Sequence, residues 1–403
     1  MECVEYPHTP FSYNGARDEG GCLEWATVGG DMKEKTRLER ADRVLNGLKK
    51  WKNLAWIQKA IAIEAVLVAV SAAIVALQHG MNVFLTEAGT VNSATLSVEE
   101  GFIKWVDFNV SYEALCEAYY WDVETHDTAH PVHFVELLAY TAARTGGEFG
   151  NDALKTLKKA ANQLAEGEAT IEELTEDLKY YSYYREAYGA VLDGMVGEFE
   201  EEYEDENGNR SFRKTYGLKA FFPLAKGFEY THYDDFEVSR SYGYQRRHLG
   251  HDMMGQTGTP IICVESGYVE ALGWNQYGGW RIGIRSLDGK RYYYYAHLRQ
   301  NYPYAEGLEE GDLVTAGDVI GYMGHTGYST TENVNNIEVT HLHWGLQLIF
   351  DESQKEGNGE IWIDVYPLTR FLAKHCQQAQ KVEDTREWVR TLTIVDPEVE
   401  KLK

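Results

Sequence analysis

Hydrophobic and polar positions fall into three textures along the chain. From Ala60 to Leu77 the residues are apolar except Glu64 and Ser71. Extended to Phe84, the run is long enough to cross a bilayer. Nine Lys or Arg residues lie between Met32 and Lys59, and none between Gln78 and Ile103. That asymmetry predicts a transmembrane anchor over 54–84, with residues 1–53 in the cytoplasm and all that follows outside. No small-x-small cleavage site follows the run, so an uncleaved anchor is expected rather than a removed signal peptide. Met32, followed by "KEKTRLERADRVLNGLKKWK", heads a better basic leader than residues 1–31 and is a candidate translation start. A buried core helix is the competing reading, and Glu64 favours it.

The second texture has the 3.6-residue period of helices. In "NDALKTLKKAANQLAEG", Leu154, Leu157, Ala161 and Leu164 form one stripe, with Asn151 or Asp152 as cap and Gly167 as stop. "TIEEL" adds a capping box of Thr170 and Glu173. A small helical domain is predicted over 105–197. Seven acidic residues then crowd between Glu198 and Glu206. Dense like charge resists packing, which predicts a linker over 198–212. The third texture, from about residue 215, is short alternating runs separated by glycine. "WRIGIRS" and "RYYYYAHL" flank Asp288-Gly289, a hairpin signal. An antiparallel all-β domain is predicted over 213–375, followed by a charged peripheral tail, 376–403. The expected fold class is multidomain α + β.

Composition narrows the function. With 63 acidic against 38 basic residues and a net charge of −25, the chain lacks the basic face of a nucleic-acid binder. Cys3, Cys22, Cys116, Cys263 and Cys376 contain no C-x-x-C pair, which excludes a disulfide framework and a cysteine zinc knuckle. Cys263 reads as a core residue.

Histidine carries the candidate chemistry. In "EVTHLHWGLQL", His341 and His343 share one face of a strand, because side chains alternate. "RRHLGHDMMGQTGTP" adds His248 and Asp252, four apart, and "YYAHL" adds His297. Zinc favours imidazole nitrogen and carboxylate oxygen, and a hydrolytic site uses three protein ligands with one position open. His248, Asp252 and one histidine of the pair would make such a set, leaving two histidines for proton work or charge stabilisation. Spacing leaves this assignment open.

Together, "HLGHD", "GTPI", "SGYV", "GGWRIGIRSLDGKRYYYYAHL", "GLEEGDLVTAGDVIGYMGHTGYST" and "HLH", in that order, resemble the lysostaphin/LytM-type zinc metallopeptidases. The resemblance covers residues 248–350 and says nothing about the helical region. It implies a LytM-like β domain with one zinc held by His248, Asp252 and His343. His341 and His297 correspond to the family's two non-ligand histidines, which orient and deprotonate a zinc-activated water or hold the oxyanion. Two departures stand out. "TENVNNIEVT", 331–340, is inserted before "HLH" and is expected to lengthen a loop beside the cleft. Gly345 stands where the family often has an acidic residue.

The resemblance implies an endopeptidase acting on bacterial peptidoglycan, at cross-bridge or stem peptides. With the anchor, this predicts a single-pass membrane protein whose catalytic domain faces the wall, the helical region docking a partner or acting as spacer. The alternatives are a catalytically silent scaffold of another wall hydrolase or of a secretion or conjugation assembly, and a peptidase of glycine-rich proteins. Several other groups carry weaker expectations. His251 is expected to be an exposed cleft residue. His325 is a candidate substrate contact. His126, His130 and His133 form a weak second metal candidate. In the "RYYYYAHL" run, one alternating tyrosine pair is expected to pack inward and the other to line a groove.

Overall fold

The computed structural model describes residues 102–403 apart from Gly243, Glu356 and Asn358. The predicted anchor, 54–84, and the segment before it lie outside the described residues. Among the described residues, no helix is long and apolar enough to cross a membrane.

The helical texture forms α1 (Tyr112–Thr125), α2 (Phe134–Thr145), α3 (Asn151–Ala165), α4 (Ile171–Thr175) and α5 (Tyr181–Leu192). Local chemistry sets their ends. Ser111 caps α1 by accepting from the Ala114 N–H at 3.2 Å. The expected capping box opens α4, where Thr170 and Glu173 satisfy each other's backbone N–H groups. On α3, Leu157, Ala161 and Leu164 are buried as the stripe requires, although its cap is Gly150. Gly167 takes a φ of 68° just beyond the helix, a conformation that glycine adopts without strain.

The strands are β1 (Val196–Glu204), β2 (Arg210–Leu218), β3 (Thr231–His232), β4 (Ser239–Tyr242), β5 (Tyr244–Arg247), β6 (His251–Met254), β7 (Pro260–Ile262), β8 (Gly267–Asn275), β9 (Gly279–Ser286), β10 (Arg291–Ala296), β11 (Leu313–Val314), β12 (Val319–Tyr322), β13 (His341–Leu348) and β14 (Ile361–Trp362). After helix α6 (Tyr366–Leu372) come β15 (Ala379–Lys381), β16 (Trp388–Arg390), β17 (Ile394–Val395) and α7 (Pro397–Glu400). The main sheet is antiparallel, in the order β11-β8-β9-β10-β13-β6-β3, with β14 beside β13. The expected hairpin joins β9 to β10. Asp288 secures its turn by accepting from Ser286 Oγ at 2.6 Å and from the Lys290 N–H at 3.1 Å.

Three expectations are corrected. The acidic run is not a linker but strand β1, paired along its length with β2. Its charge is met across the ladder, where Glu201 faces Arg213, Glu200 faces Lys214 and Glu204 faces Arg210, and such opposed pairs favour pairing. Phe199 meanwhile turns inward and is 4% exposed. The tail is not peripheral: β17 pairs with β1, and buried Asp396 bonds Lys219 Nζ at 3.2 Å and Ser266 Oγ at 3.0 Å. Nor do the helices keep a core of their own. Leu115, Leu137, Leu157 and Val191 share one buried cluster with Ile282, Tyr293, Leu346 and Phe371.

A buried ion pair ties helices to sheet. Arg291, 1% exposed, donates to both oxygens of Glu265 at 2.8 and 2.9 Å and to the Ala190 carbonyl of α5 at 2.9 Å. Tyr293 Oη donates to the same carboxylate at 2.5 Å. Removing one partner strands a buried charge. Arg291→Met is therefore expected to cost about 3–5 kcal/mol, and Arg291→Met with Glu265→Gln distinctly less. Denaturant unfolding of the two variants measures this; equal losses would show that the pair does not act as a unit.

Candidate metal centre

The site is assembled on neighbouring strands of the main sheet. On β13, His341 pairs with Met254 of β6 and His343 with Asp252, while Ala296 of β10 lies on the other side of His343. His343 and Asp252 are thus direct cross-strand neighbours on one face. His248, in the turn between β5 and β6, completes the group. Its Nε2 lies 3.0 Å from Asp252 Oδ1 and 2.9 Å from His343 Nδ1, and that nitrogen is 3.0 Å from the same Oδ1. Among the described residues, His248, Asp252 and His343 are the group of three metal-ligating side chains whose ligand atoms lie within 4.8 Å of one another.

The donor set suits a divalent cation. His248 Nδ1 faces the Asp235 carbonyl at 2.9 Å and its carboxylate at 3.2 Å, so in the neutral imidazole the hydrogen belongs on Nδ1 and Nε2 has the lone pair that a metal would take. Arg240 occupies Asp252 Oδ2 at 3.2 Å and leaves Oδ1 to the site. The separations of 2.9–3.0 Å lie near the ~3.3 Å edge of a tetrahedron with ligand bonds of about 2.0–2.1 Å. Electrostatics follow the same contacts. Burial would raise the Asp252 pKa, but bonds from His248 and His343 hold it far below the carboxylate range. Burial would lower that of His248, but Asp235 and Asp252 push it up to about 9. Burial and neighbouring imidazoles depress His297 well below its ordinary value. His343 is also lowered, by burial first.

His297 and His341 stand beside this group, with ring centroids 4.7 Å apart. His297 ends β10 at a φ of 63°, uncommon for a residue with a side chain. Its Nδ1 faces the Thr326 carbonyl at 2.9 Å, and His341 Nδ1 faces the Val339 carbonyl at 2.8 Å. All five histidine and aspartate residues singled out from the sequence line one cleft, together with Arg240, Arg246, Tyr277, Tyr294 and Tyr328.

Other expectations fare differently. His251 is not exposed. It points to the opposite face of β6 from Asp252, is 1% exposed, and bonds Asp235 Oδ1 at 3.2 Å and His232 Nδ1 at 2.9 Å. Tyr293 and Tyr295 pack inward while Tyr294 lines the cleft; Tyr292 is also buried. The insertion 331–340 folds against the turn after His297, where Asn333 Oδ1 accepts from Trp280 Nε1 and the Asn301 N–H at 2.9 Å each. Tyr328, just before it, lines the cleft instead. His325 Nδ1 is engaged by the Ile337 carbonyl at 2.8 Å. His126 stacks on Tyr216, and His130 packs at Gly167. A side chain at Gly345 would meet Trp362 at 2.9 Å, so the family's acidic residue has no room here.

Spacing in the sequence did not reveal Asp235, Arg240 or Gly250. Asp235 is fully buried and holds His248, His251 and Arg240 at once. It sits in a loop thirteen residues before His248, with no spacing rule to mark it. A Cβ on Gly250 would lie 2.6 Å from His343 Cε1, so only glycine leaves that ring in place. Asp235→Asn removes the charge that orients His248. It is expected to weaken zinc affinity about 10- to 100-fold, read by competition with a chromophoric chelator. Unchanged affinity would show that Asp235 supports folding alone.

Comparison with known proteins finds similarity to peptidases. Residues 246–355 match the family model described as Peptidase family M23. The chain is 34% identical over 160 residues to L-Ala–D-Glu endopeptidase of Bacillus subtilis (strain 168), covering 40% of this chain and 46% of that protein. It is 37% identical over 89 residues to lysostaphin of Staphylococcus staphylolyticus, covering 22% of this chain and 18% of that one. The chain thus spans less than half the length of these curated relatives. A crystal structure from Ruminococcus gnavus ATCC 29149, provisionally titled a glycyl-glycine endopeptidase, aligns with a TM-score of 0.45 at 25% identity, covering 68% of this chain and 91% of that one. The chain carries, at residues 246–355, a peptidase domain of family M23.

Proposed function

We propose that this chain is a zinc metalloendopeptidase that hydrolyses peptide bonds of bacterial peptidoglycan from the outer face of the cytoplasmic membrane. The observation that carries it is the convergence of His248 Nε2, Asp252 Oδ1 and His343 Nδ1, with His341 and His297 alongside. The family M23 domain supports the reaction class. The relatives' names, L-Ala–D-Glu endopeptidase and lysostaphin, support the substrate class. The apolar segment Ala60–Leu77 and its basic flank support the tether.

His248, Asp252 and His343 would hold the ion. When bound, zinc polarises the scissile carbonyl and brings the pKa of water toward neutrality. His341 donates its Nδ1–H to the Val339 carbonyl, so in the neutral imidazole Nε2 is the nitrogen with the lone pair, 3.7 Å from Asp252 Oδ1. That nitrogen can accept the proton of the attacking water and pass it to the leaving amine. His297, with its Nδ1–H held by the Thr326 carbonyl, offers a second Nε2 lone pair that can steady the attacking water. Arg240 fixes Asp252 by its outer oxygen. No acyl-enzyme is needed, and Cys263 is buried with its Sγ bonded to the Glu265 carbonyl.

The purified chain is expected to contain about one zinc and to release muropeptides from sacculi, identified by mass, with chelation stopping release. His343→Ala and Asp252→Ala should lose zinc. His341→Ala and His297→Ala should keep it while release falls about 10²- to 10⁴-fold. Zinc-loaded wild type that leaves sacculi intact would replace this reading with the silent scaffold. Deleting residues 54–84 is expected to move the protein from the membrane to the soluble fraction; continued sedimentation with membranes would sink the tether.

A further inference from the structure

Two arginines line the cleft in different electrostatic states. Arg240 is paired, its guanidinium reaching Asp235 Oδ2 at 2.9 Å and Asp252 Oδ2 at 3.2 Å. Arg246 has no carboxylate within 4.0 Å among the described residues. One terminal nitrogen donates to Tyr328 Oη at 2.7 Å, and the rings of Tyr277 and Tyr328 lie 5.4 and 5.3 Å from the guanidinium carbon. Its Nε is buried without a hydrogen-bond partner.

A guanidinium keeps its charge at any physiological pH, and a buried N–H without a partner is costly and rare. Arg246 is therefore a partly desolvated cation, held in place by two aromatic faces. It does so in a chain of net charge −25, which offers an anion few other welcoming places. A carboxylate fits the guanidinium fork with two parallel hydrogen bonds, a geometry that neutral peptide groups do not match. The position is close to the chemistry: the Tyr328 ring that holds Arg246 lies 6.0 Å from the His297 ring. An extended peptide advances about 3.3–3.6 Å per residue. With the guanidinium carbon 5.3 Å from that ring, a carboxylate reaching Arg246 belongs to a residue within about three of the scissile bond.

We propose that Arg246 is a specificity-determining residue that binds a substrate carboxylate. The preferred substrate is then an acidic stem peptide bearing a free carboxylate within a few residues of the scissile bond, rather than a neutral, amidated or glycine-only peptide. This rests on the peptidase function proposed above.

The test compares two purified sacculi that differ only in whether the stem glutamate α-carboxyl is free or amidated. Initial rates of muropeptide release are measured with the zinc-loaded full chain. Wild type is expected to favour the free-carboxylate wall about 10- to 100-fold. Arg246→Gln should bring that ratio near one with its zinc content unchanged, and Arg246→Lys should give an intermediate ratio, because lysine keeps charge but loses the fork. Wild type that cuts both walls equally, or Arg246→Gln that keeps the preference, overturns this proposal and leaves the peptidase function standing. Zinc-loaded wild type that cuts neither wall overturns both.

Discussion

The antiparallel pairing of β13 with β6 sets Asp252 directly across from His343, and the rest of the site is arranged around that register. A slip of one residue would turn every side chain of β13 to the other face and put Leu342 opposite Asp252. The buried side of the strand prevents it. Leu342, Trp344, Leu346 and Leu348 are all essentially inaccessible, so a slip would drive four large apolar groups toward the cleft. The core therefore holds the histidines in place: burial of alternate residues costs the competing register far more than any contact made by the imidazoles themselves.

A second set of interactions keeps the histidines from relaxing toward solvent. Asp235 holds His248 by its nitrogen, Arg240 draws together the outer oxygens of Asp235 and Asp252, and Gly250 lets the chain pass tightly against the His343 ring. Behind the sheet, Arg291 and Glu265 bind the end of α5 to the β9–β10 hairpin, and the tail returns to seal Lys219 and Ser266 with Asp396. A cluster of like-acting donors is tolerable only in such a frame, because buried polar groups must find partners at fixed places. The helices and tail thus serve the site at a distance, by making the sheet rigid.

The cleft is lined by both polar and aromatic groups. Tyr277, Tyr294 and Tyr328 line it together with His248, Asp252 and His343. Rigid rings lose little entropy on contact and can press against a peptide chain without demanding particular side chains. On the proposed function, discrimination would fall to the few charged groups of the cleft, where Arg246 stands apart because no carboxylate among the described residues lies within 4.0 Å of it.

Much of this was legible along the chain. The period of α3, the capping box of α4 and the Asp-Gly hairpin are local features, decided by residues a few positions apart. His341, His343, His248, Asp252 and His297 were candidates by residue type, but spacing left their roles open and the resemblance to a known peptidase family supplied them. The acidic run misled, because its compensating cations sit across a strand ladder in "RSFRKT" and not beside it in sequence. His251 misled because alternation within β6 turns it away from Asp252 toward Asp235. The amino-acid order by itself determined the locally encoded elements, such as α3, the α4 cap and the β9–β10 hairpin, and the candidate chemistry, through local propensity and side-chain period. Only the tertiary structure decided which groups met, which cleft cation had no carboxylate near it among the described residues and how the tail closed the core, because those outcomes depend on contacts between residues far apart along the chain.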